Sequence, residues 1–347
     1  MAGQRKSITT SANRTVAVFG AYGHTARFVV AELCQRGWTP ILSGRDADRL
    51  GALGKAFPAL ETRQASVEDP ASLDRALVGT MGVINCAGPF LDTAVPVIEA
   101  ALRARIHYLD VSAEQQAVLD VFERFADAAK VAGVTVMPAM AFYGGLADLL
   151  ATAALGDWPD ADAIEIAVAL DSWHPTAGTR LTGTRNRYRR LVVTGGRLAP
   201  LTDPAPSREW TFPAPFGTQE VVALPFTEIV TLSHHVRSAE VHSYMNLAPL
   251  KDLRDPHTPS PVPTDAQGRS SQIFAVDTIV RRHGQTRRAR AHGRDIYAIT
   301  APLVVEAMQR IGDGRSKATG VVAPGEAFDA RDFLESLPLV HLAFPDA

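Results

Sequence analysis

The chain has 347 residues, of which 46% are hydrophobic and 21% charged, and its net charge is -2. That length allows two domains, each with its own core, and the balanced charge gives no basis for nucleic acid or an anionic membrane as a partner. Two cysteines, Cys34 and Cys86, are too few for a disulfide framework or a thiolate metal site, and both read as small buried residues of a reducing, cytoplasmic compartment.

Segment Met1–Asn13 is polar, carries Arg5 and Lys6 and leads into no apolar core of a secretory signal, so it reads as a frayed tail. No uncharged run approaches the ~18 apolar residues of a membrane span. Thr15–Gly20 (TVAVFG) is a short apolar run ending in glycine, the pattern of a buried parallel strand. A helix over His24–Arg36 follows, closed by Gly37. Strands are expected at Pro40–Ser43, Thr62–Ser66, Gly82–Cys86, His107–Val111 and Val134–Pro138. Helices are expected between them, over Ala47–Phe57, Pro70–Leu77, Thr93–Arg103 and Gln115–Ala132, the second of these with Pro70 in its first turn. Strands alternating with helices in this way give a Rossmann-type, doubly wound parallel sheet over residues 14–143.

Beyond Met140 the pattern changes. Ala147–Leu155 is helical, and Ile164–Leu170 alternates with period two. Strand-like pieces recur at Glu220–Ala223, Glu228–Leu232, Ala239–Met245, Gln272–Arg281, Arg287–His292 and Asp295–Thr300, with His283-Gly284-Gln285 as a hairpin turn. Residues 144–300 therefore read as a second, α+β domain on a mostly antiparallel sheet. Asp255–Pro263 reads as one exposed Pro-rich loop. The helix at Pro302–Ile311, within a C-terminal segment 301–347, is compatible with packing on that sheet or back on the first domain.

Gly20-Ala21-Tyr22-Gly23-His24-Thr25-Ala26 stands at the mouth of the first helix. Gly20 permits the sharp turn out of the strand, Gly23 lets the backbone approach a pyrophosphate, and Ala26 keeps helix and sheet close. The helix N-terminus offers free N–H groups to phosphates. At the end of strand two, where an NAD-binding unit carries a carboxylate for the ribose 2′-OH, this chain has Ser43-Gly44-Arg45. A guanidinium forks onto a 2′-phosphate and a hydroxyl can donate to it, so the expected cofactor is NADP(H). Asp46 reads as the cap of the next helix, and Arg49 as either a second contact or a solvated side chain. Cys86-Ala87-Gly88-Pro89-Phe90 ends strand four, where small residues leave room for the cofactor.

The stretches VFGAYGHTA, LSGRDADRL, VINCAGPF and HYLDVSAE, in this order, resemble the saccharopine dehydrogenase-like reductases, most closely a short bacterial branch that includes trans-acting enoyl reductases. MPAMAFYGGLADLLA, GRDIYAITAPLVVEA and GVVAPGEAFDARDFL extend the likeness. The resemblance implies an NADP-binding domain and a second domain that covers the nicotinamide. It also implies that the segment holding Asp110, Ser112 and Glu114 lies beside the cofactor near the interdomain cleft. One departure is that Leu146-Ala147 precedes Asp148 where family members often carry a proline, which bears on the shape of the pocket floor.

Hydride transfer needs a proton for the atom that becomes negative. Glu114 could donate it or cap a helix; Tyr143 could donate its phenolic proton or merely pack; His174, after the strand Ile164–Leu170, could enter the pocket or be structural. The run Thr179–Arg190 holds five arginines and reads either as a grip on a carboxylate or carrier phosphate, or as a solvated helix face. His234-His235 has no partner at ligand spacing, so no metal is expected. The expected function is NADPH-dependent reduction of a polarised C=C or C=N bond in a small or carrier-bound substrate, in a protein for which a homodimer would be unsurprising. The alternative is a non-catalytic NADP-binding sensor or assembly partner.

Overall fold

The computed structural model describes residues 14–345. In the first half β1 (Thr15–Phe19), β2 (Thr39–Gly44), β3 (Thr62–Gln64), β4 (Gly82–Asn85), β5 (His107–Asp110) and β6 (Thr135–Met137) alternate with helices. Those helices are α1 (His24–Gln35), α2 (Ala47–Ala56), α3 (Pro70–Leu77), α4 (Phe90–Ala104) and α5 (Gln115–Ala132). All six strands are parallel, in the order β3-β2-β1-β4-β5-β6. The order reverses between β1 and β4, so the C-terminal ends of these two strands open a crevice at the switch point. Val16, Val18, Val83, Ile84 and Leu109 are solvent-inaccessible, as strands covered on both faces require. The helix α4 begins a turn earlier than the sequence suggests, because Pro89 holds its N-cap extended and a carboxylate from β5's far end caps it.

The chain then makes a π-helical turn, Phe142–Leu146, that runs straight into α6 (Ala147–Leu155). The second domain follows as β7 (Ala161–Leu170), α7 (Ala177–Arg185), β8 (Leu191–Thr194), β9 (Arg197–Pro200), β10 (Ser207–Thr211) and β11 (Thr218–Ala223). Next come α8 (Glu228–His235), β12 (Ser238–Asn246), α9 (Ala248–Arg254), β13 (Ile273–Arg282) and β14 (Gln285–Arg294). Its sheet runs β10-β11-β12-β7-β13-β14 and is antiparallel at every pairing except β12 with β7. The β13–β14 turn is built on His283 and Gly284, both at positive φ (48° and 79°), the backbone a two-residue hairpin needs.

Two expected strands are not strands. Glu228–Leu232 begins α8, because Ile229, Val230 and Leu232 are all buried and tertiary packing overrides the β-preference of branched residues. Asp295–Thr300 is a turn: the Asp295 carboxylate accepts from the N–H groups of Tyr297 (3.0 Å) and Ala298 (3.1 Å), which curls the chain. The β8–β9 hairpin, missed in the sequence, turns on Gly195-Gly196 at φ 58° and 75°.

The C-terminal part ties the domains together. The helix α10 (Thr300–Gly312) packs back on α1 of the first domain, with Arg36 bonded to Glu306. Then β15 (Gly320–Val321) adds a seventh parallel strand beside β6. After α11 (Pro324–Ala327) and α12 (Ala330–Glu335), β16 (His341–Ala343) returns to the second sheet and pairs with β14. Among the described residues no helix is long and apolar enough to cross a membrane.

Candidate functional site

A cleft of about 1560 Å³ runs between the domains, from the β1–β4 crevice to the π turn. At its first end Gly20 leaves β1 at φ 78°, and the N–H groups of Gly20 and Ala21 both donate to the Ser43 carbonyl (2.8 and 3.0 Å). A Cβ on Gly20 would stand 2.8–2.9 Å from Ala87, and one on Gly23 would stand 3.2 Å from the Gly20 carbonyl. Gly23 is the N-cap of α1 and brings no capping side chain, so the first N–H groups of α1 face the cleft uncapped. His24 and Thr25 also line it. Ala26 does not; it is buried in the core beneath α1, the packing role expected of it.

At the end of β2, Tyr22, Gly44, Arg45, Asp46 and Arg49 line the cleft. The Tyr22 ring lies where a side chain on Gly44 would be, and the Arg49 guanidinium stacks over it at 4.3 Å. Asp46 is occupied as the cap of α2, accepting from the Arg49 N–H at 3.0 Å. Arg45 is exposed and free to meet an anion. Ser43 is a correction: its hydroxyl is buried and outside the cleft lining, and it is the carbonyl that serves the glycine turn.

Between β4 and β5, Cys86, Ala87, Gly88, Pro89 and Phe90 line the cleft. Burial raises the Cys86 thiol far above its usual range, with Asp110 adding to it, so it is no nucleophile. Asp110 and Ser112 are corrections, since neither lines the cleft. The Asp110 carboxylate is buried and accepts from Ala139 N–H (2.7 Å), Ser112 N–H (3.0 Å) and Tyr108 OH (2.8 Å). Burial pushes its pKa up to about 6 while those bonds hold part of the rise back. It locks β5 to β6 rather than touching a ligand. Glu114 lines the cleft, but its carboxylate accepts from the Phe90 and Leu91 N–H groups (2.8 and 3.2 Å). It therefore caps α4, the preceding helix, and not α5; burial raises its pKa and those bonds lower it.

The far end is aromatic. Tyr143, from the π turn, stacks on Phe226 at 4.1 Å and lies 5.6 Å from Trp173, and its buried hydroxyl has no hydrogen-bond partner. Gly144 makes this turn possible, because a Cβ there would sit 2.3 Å from the Ala139 carbonyl. Trp173 and Thr179 are fixed by the Tyr297 hydroxyl (both 3.0 Å). His174 is a correction, for Trp173 enters the cleft while the histidine beside it does not.

The arginine run does not act as one grip. Arg180 donates to the Asp255 and Thr258 carbonyls, and Arg185 pairs with Asp92 of α4 (2.5 and 3.0 Å). Only Arg190, past the end of α7, reaches the aromatic end, over Phe226 at 4.5 Å. Glu228, which the sequence reading missed as part of a supposed strand, lies buried behind it with one oxygen unpartnered. Burial raises its pKa to about 7, with Ser243, backbone N–H groups and Arg190 opposing. A lone acidic residue between apolar neighbours on a helix was the available signal.

An NADP molecule fits the first end on the structure's own terms. The glycines leave a cradle that side chains would fill, α1 offers uncapped N–H groups, and two arginines wait where a 2′-phosphate would lie. Residues 16–137 match the family described as saccharopine dehydrogenase NADP binding domain. Over 150 residues the chain is 27% identical to a saccharopine dehydrogenase-like oxidoreductase from Bos taurus, covering 38% of this chain and 35% of that one. Over 140 residues it is 29% identical to a probable mitochondrial saccharopine dehydrogenase-like oxidoreductase from Arabidopsis thaliana, covering 36% of this chain and 31% of that one. The matches thus span about a third of those relatives. The fold is similar to that of apo saccharopine dehydrogenase (L-Glu forming) from Saccharomyces cerevisiae, with a TM-score of 0.65 at 13% identity, over 96% of this chain and 100% of that one. Residues 16–137 of the first domain are thus similar to a saccharopine dehydrogenase NADP binding domain.

Proposed function

We propose that this saccharopine dehydrogenase-like chain is an NADPH-dependent reductase that acts on a polarised C=C or C=N bond of a small or carrier-bound substrate held in the interdomain cleft. One observation carries the reading. The cleft that begins at the glycine turn is also lined by Tyr143, whose hydroxyl is buried and has no hydrogen-bond partner.

NADPH, when bound, supplies the hydride. Reduction leaves negative charge on the atom next to the one reduced, and that atom needs a proton. Tyr143 holds one: burial, then Tyr297 and Glu228, push its phenol well above the ordinary value, so it stays a donor at neutral pH. Arg190 opposes that rise and makes the proton easier to give up. The Tyr143 ring packs against Phe226 and Trp173, an apolar setting that strengthens each polar contact made there.

The test is consumption of NADPH across a panel of enoyl and imine substrates, together with the Tyr143→Phe variant. The variant should lose about 10²-fold in kcat while its NADPH Kd stays that of the wild type. Wild-type protein that binds NADPH and consumes none would favour a sensor instead. A Tyr143→Phe enzyme with undiminished kcat removes Tyr143 as the donor.

A further inference from the structure

Arg190 is an unusual cation for a cleft wall. Its Nη1 donates to the Pro225 carbonyl at 2.6 Å and its plane lies 4.5 Å over Phe226, but among the described residues no carboxylate forms a salt bridge with it. Burial lowers its pKa, and the nearby charge of Glu228 is what chiefly offsets this. Glu228 sits two residues beyond Phe226, whose N–H donates to it at 2.9 Å, and its second oxygen is buried without a partner. The groups facing Glu228 are Arg190, the Tyr143 phenol of the π turn and the Ser243 hydroxyl of β12. Here are a guanidinium on the cleft lining that lacks a full counter-ion, a buried acid lacking a full set of donors, and the rings of Tyr143, Trp173 and Phe226 on the same lining.

We propose that Arg190 and Glu228 form one anion subsite, which takes a single negative charge on a planar apolar molecule and adds a proton to Glu228 as that anion binds. The reasoning is charge balance in a place of low dielectric. With Glu228 ionised, Arg190 is already compensated and an incoming carboxylate meets a neutral pair. With Glu228 protonated, Arg190 carries a net charge that only the ligand can match. Arg190 is the arginine of Thr179–Arg190 that lies against the aromatic rings, while Arg180 bonds loop carbonyls and Arg185 pairs with Asp92, so one anionic group is matched at this end. The proton comes from solvent and ends on the Glu228 carboxylate, and no covalent bond changes. This inference rests on the reading of the cleft as a reductase site and assigns its substrate to the planar monoanions.

The sign follows from the value near 7 for Glu228. Anion affinity should be greatest below that pH and fall by up to about tenfold per pH unit above it. His24, which also lines the cleft, has its pKa lowered foremost by burial, against the raising charge of Asp295.

The experiment is calorimetric titration of the full, NADP⁺-saturated protein with trans-cinnamate, crotonate and benzoate, and with cinnamyl alcohol as the neutral counterpart, between pH 6 and 8.5 in two buffers of different ionisation heat. At least one carboxylate should bind saturably with proton uptake, and the alcohol should not compete. Glu228→Gln should abolish both the pH dependence and the uptake. Arg190→Met should weaken the carboxylate about 10- to 100-fold, and Arg190→Lys should recover part of the loss. NADPH titration of the same proteins separates the two claims. If the wild type fails to hold NADPH, the reductase reading falls. If it holds NADPH but no carboxylate, or if Glu228→Gln keeps the pH profile, or Arg190→Met binds like the wild type, the subsite falls alone.

Discussion

The two ends of the cleft are built from different materials. The cofactor end is backbone: Gly20 at φ 78°, the uncapped start of α1 and the small residues after β4 leave a cradle shaped by what is absent. The aromatic end is side chain: a tyrosine on a π turn, a tryptophan after β7, a phenylalanine before α8 and an arginine beyond α7. Backbone geometry suits what every NADP presents, and under the proposed function the side chains would choose the molecule to be reduced. The family match stops at residue 137, just short of Tyr143, which is where the material changes.

The largest expected effect breaks the backbone end. Gly20→Ala would put a Cβ within 2.8–2.9 Å of Ala87 at a positive φ that alanine rarely adopts. Stability should fall by about 3 kcal/mol in denaturant unfolding, and NADPH affinity with it. Gly183→Ala is the counterpart. That glycine lies in α7, a Cβ on it meets nothing within 4 Å, and its helix buries none of its residues. Alanine there should gain up to about 1 kcal/mol and leave NADPH binding alone. Equal losses at both positions would show that the cradle owes nothing special to Gly20.

The same division explains what could be seen in the sequence. The first domain was legible because strand and glycine signals are local: TVAVFG followed by a glycine turn reads the same in any context, and the helix Gln115–Ala132 came out with its observed limits. The second domain was less so. Glu228–Leu232 is rich in branched residues and is helical only because every apolar side chain there finds a buried partner, and Asp295 breaks a strand through hydrogen bonds that no periodicity announces. At the site, Tyr143 could be named as a candidate, but its missing partner could not. Asp110 and Ser112 looked like ligand residues because they end a strand, and only the fold shows them turned inward. Arg190 could not be told from its four neighbours in Thr179–Arg190, because Arg187, Arg189 and Arg190 all lie beyond the end of α7 and only packing decides which of them reaches Phe226.

A smaller effect sharpens what side chains add to the backbone cradle. Arg45 is exposed, lines the cleft at the end of β2 and has Asp46 beside it already committed to capping α2. Arg45→Asp replaces an attraction for the 2′-phosphate with a repulsion, and it offers the 2′-OH of NADH an acceptor. NADPH should bind about 10- to 100-fold more weakly, with NADH unchanged or slightly improved. An unaltered NADPH/NADH ratio in fluorescence titrations would remove Arg45 from cofactor choice and leave Arg49 to carry it.

The smallest effect concerns the joint that holds the two ends in register. The His235 ring of α8 bonds both oxygens of the buried Asp148 of α6 (3.2 and 3.1 Å), and Asp148 also accepts from the Gly325 N–H of α11 at 2.8 Å. Burial disfavours the charged ring, but the charge and hydrogen bond of Asp148, with Glu326 behind them, outweigh it and raise the His235 pKa above its ordinary 6.5. A raised histidine stabilises the fold in full below the unfolded value and loses that contribution as pH climbs through the folded one. Stability should therefore decline from pH 6 upward through the raised value. His235→Gln keeps a donor for Asp148 but cannot carry charge, so it should cost about 1 kcal/mol at pH 6 and less at pH 8.5. Denaturant midpoints at the two pH values decide it. A penalty of the same size at both would mean that the joint works through packing and neutral hydrogen bonds, with no charged pair between α6 and α8.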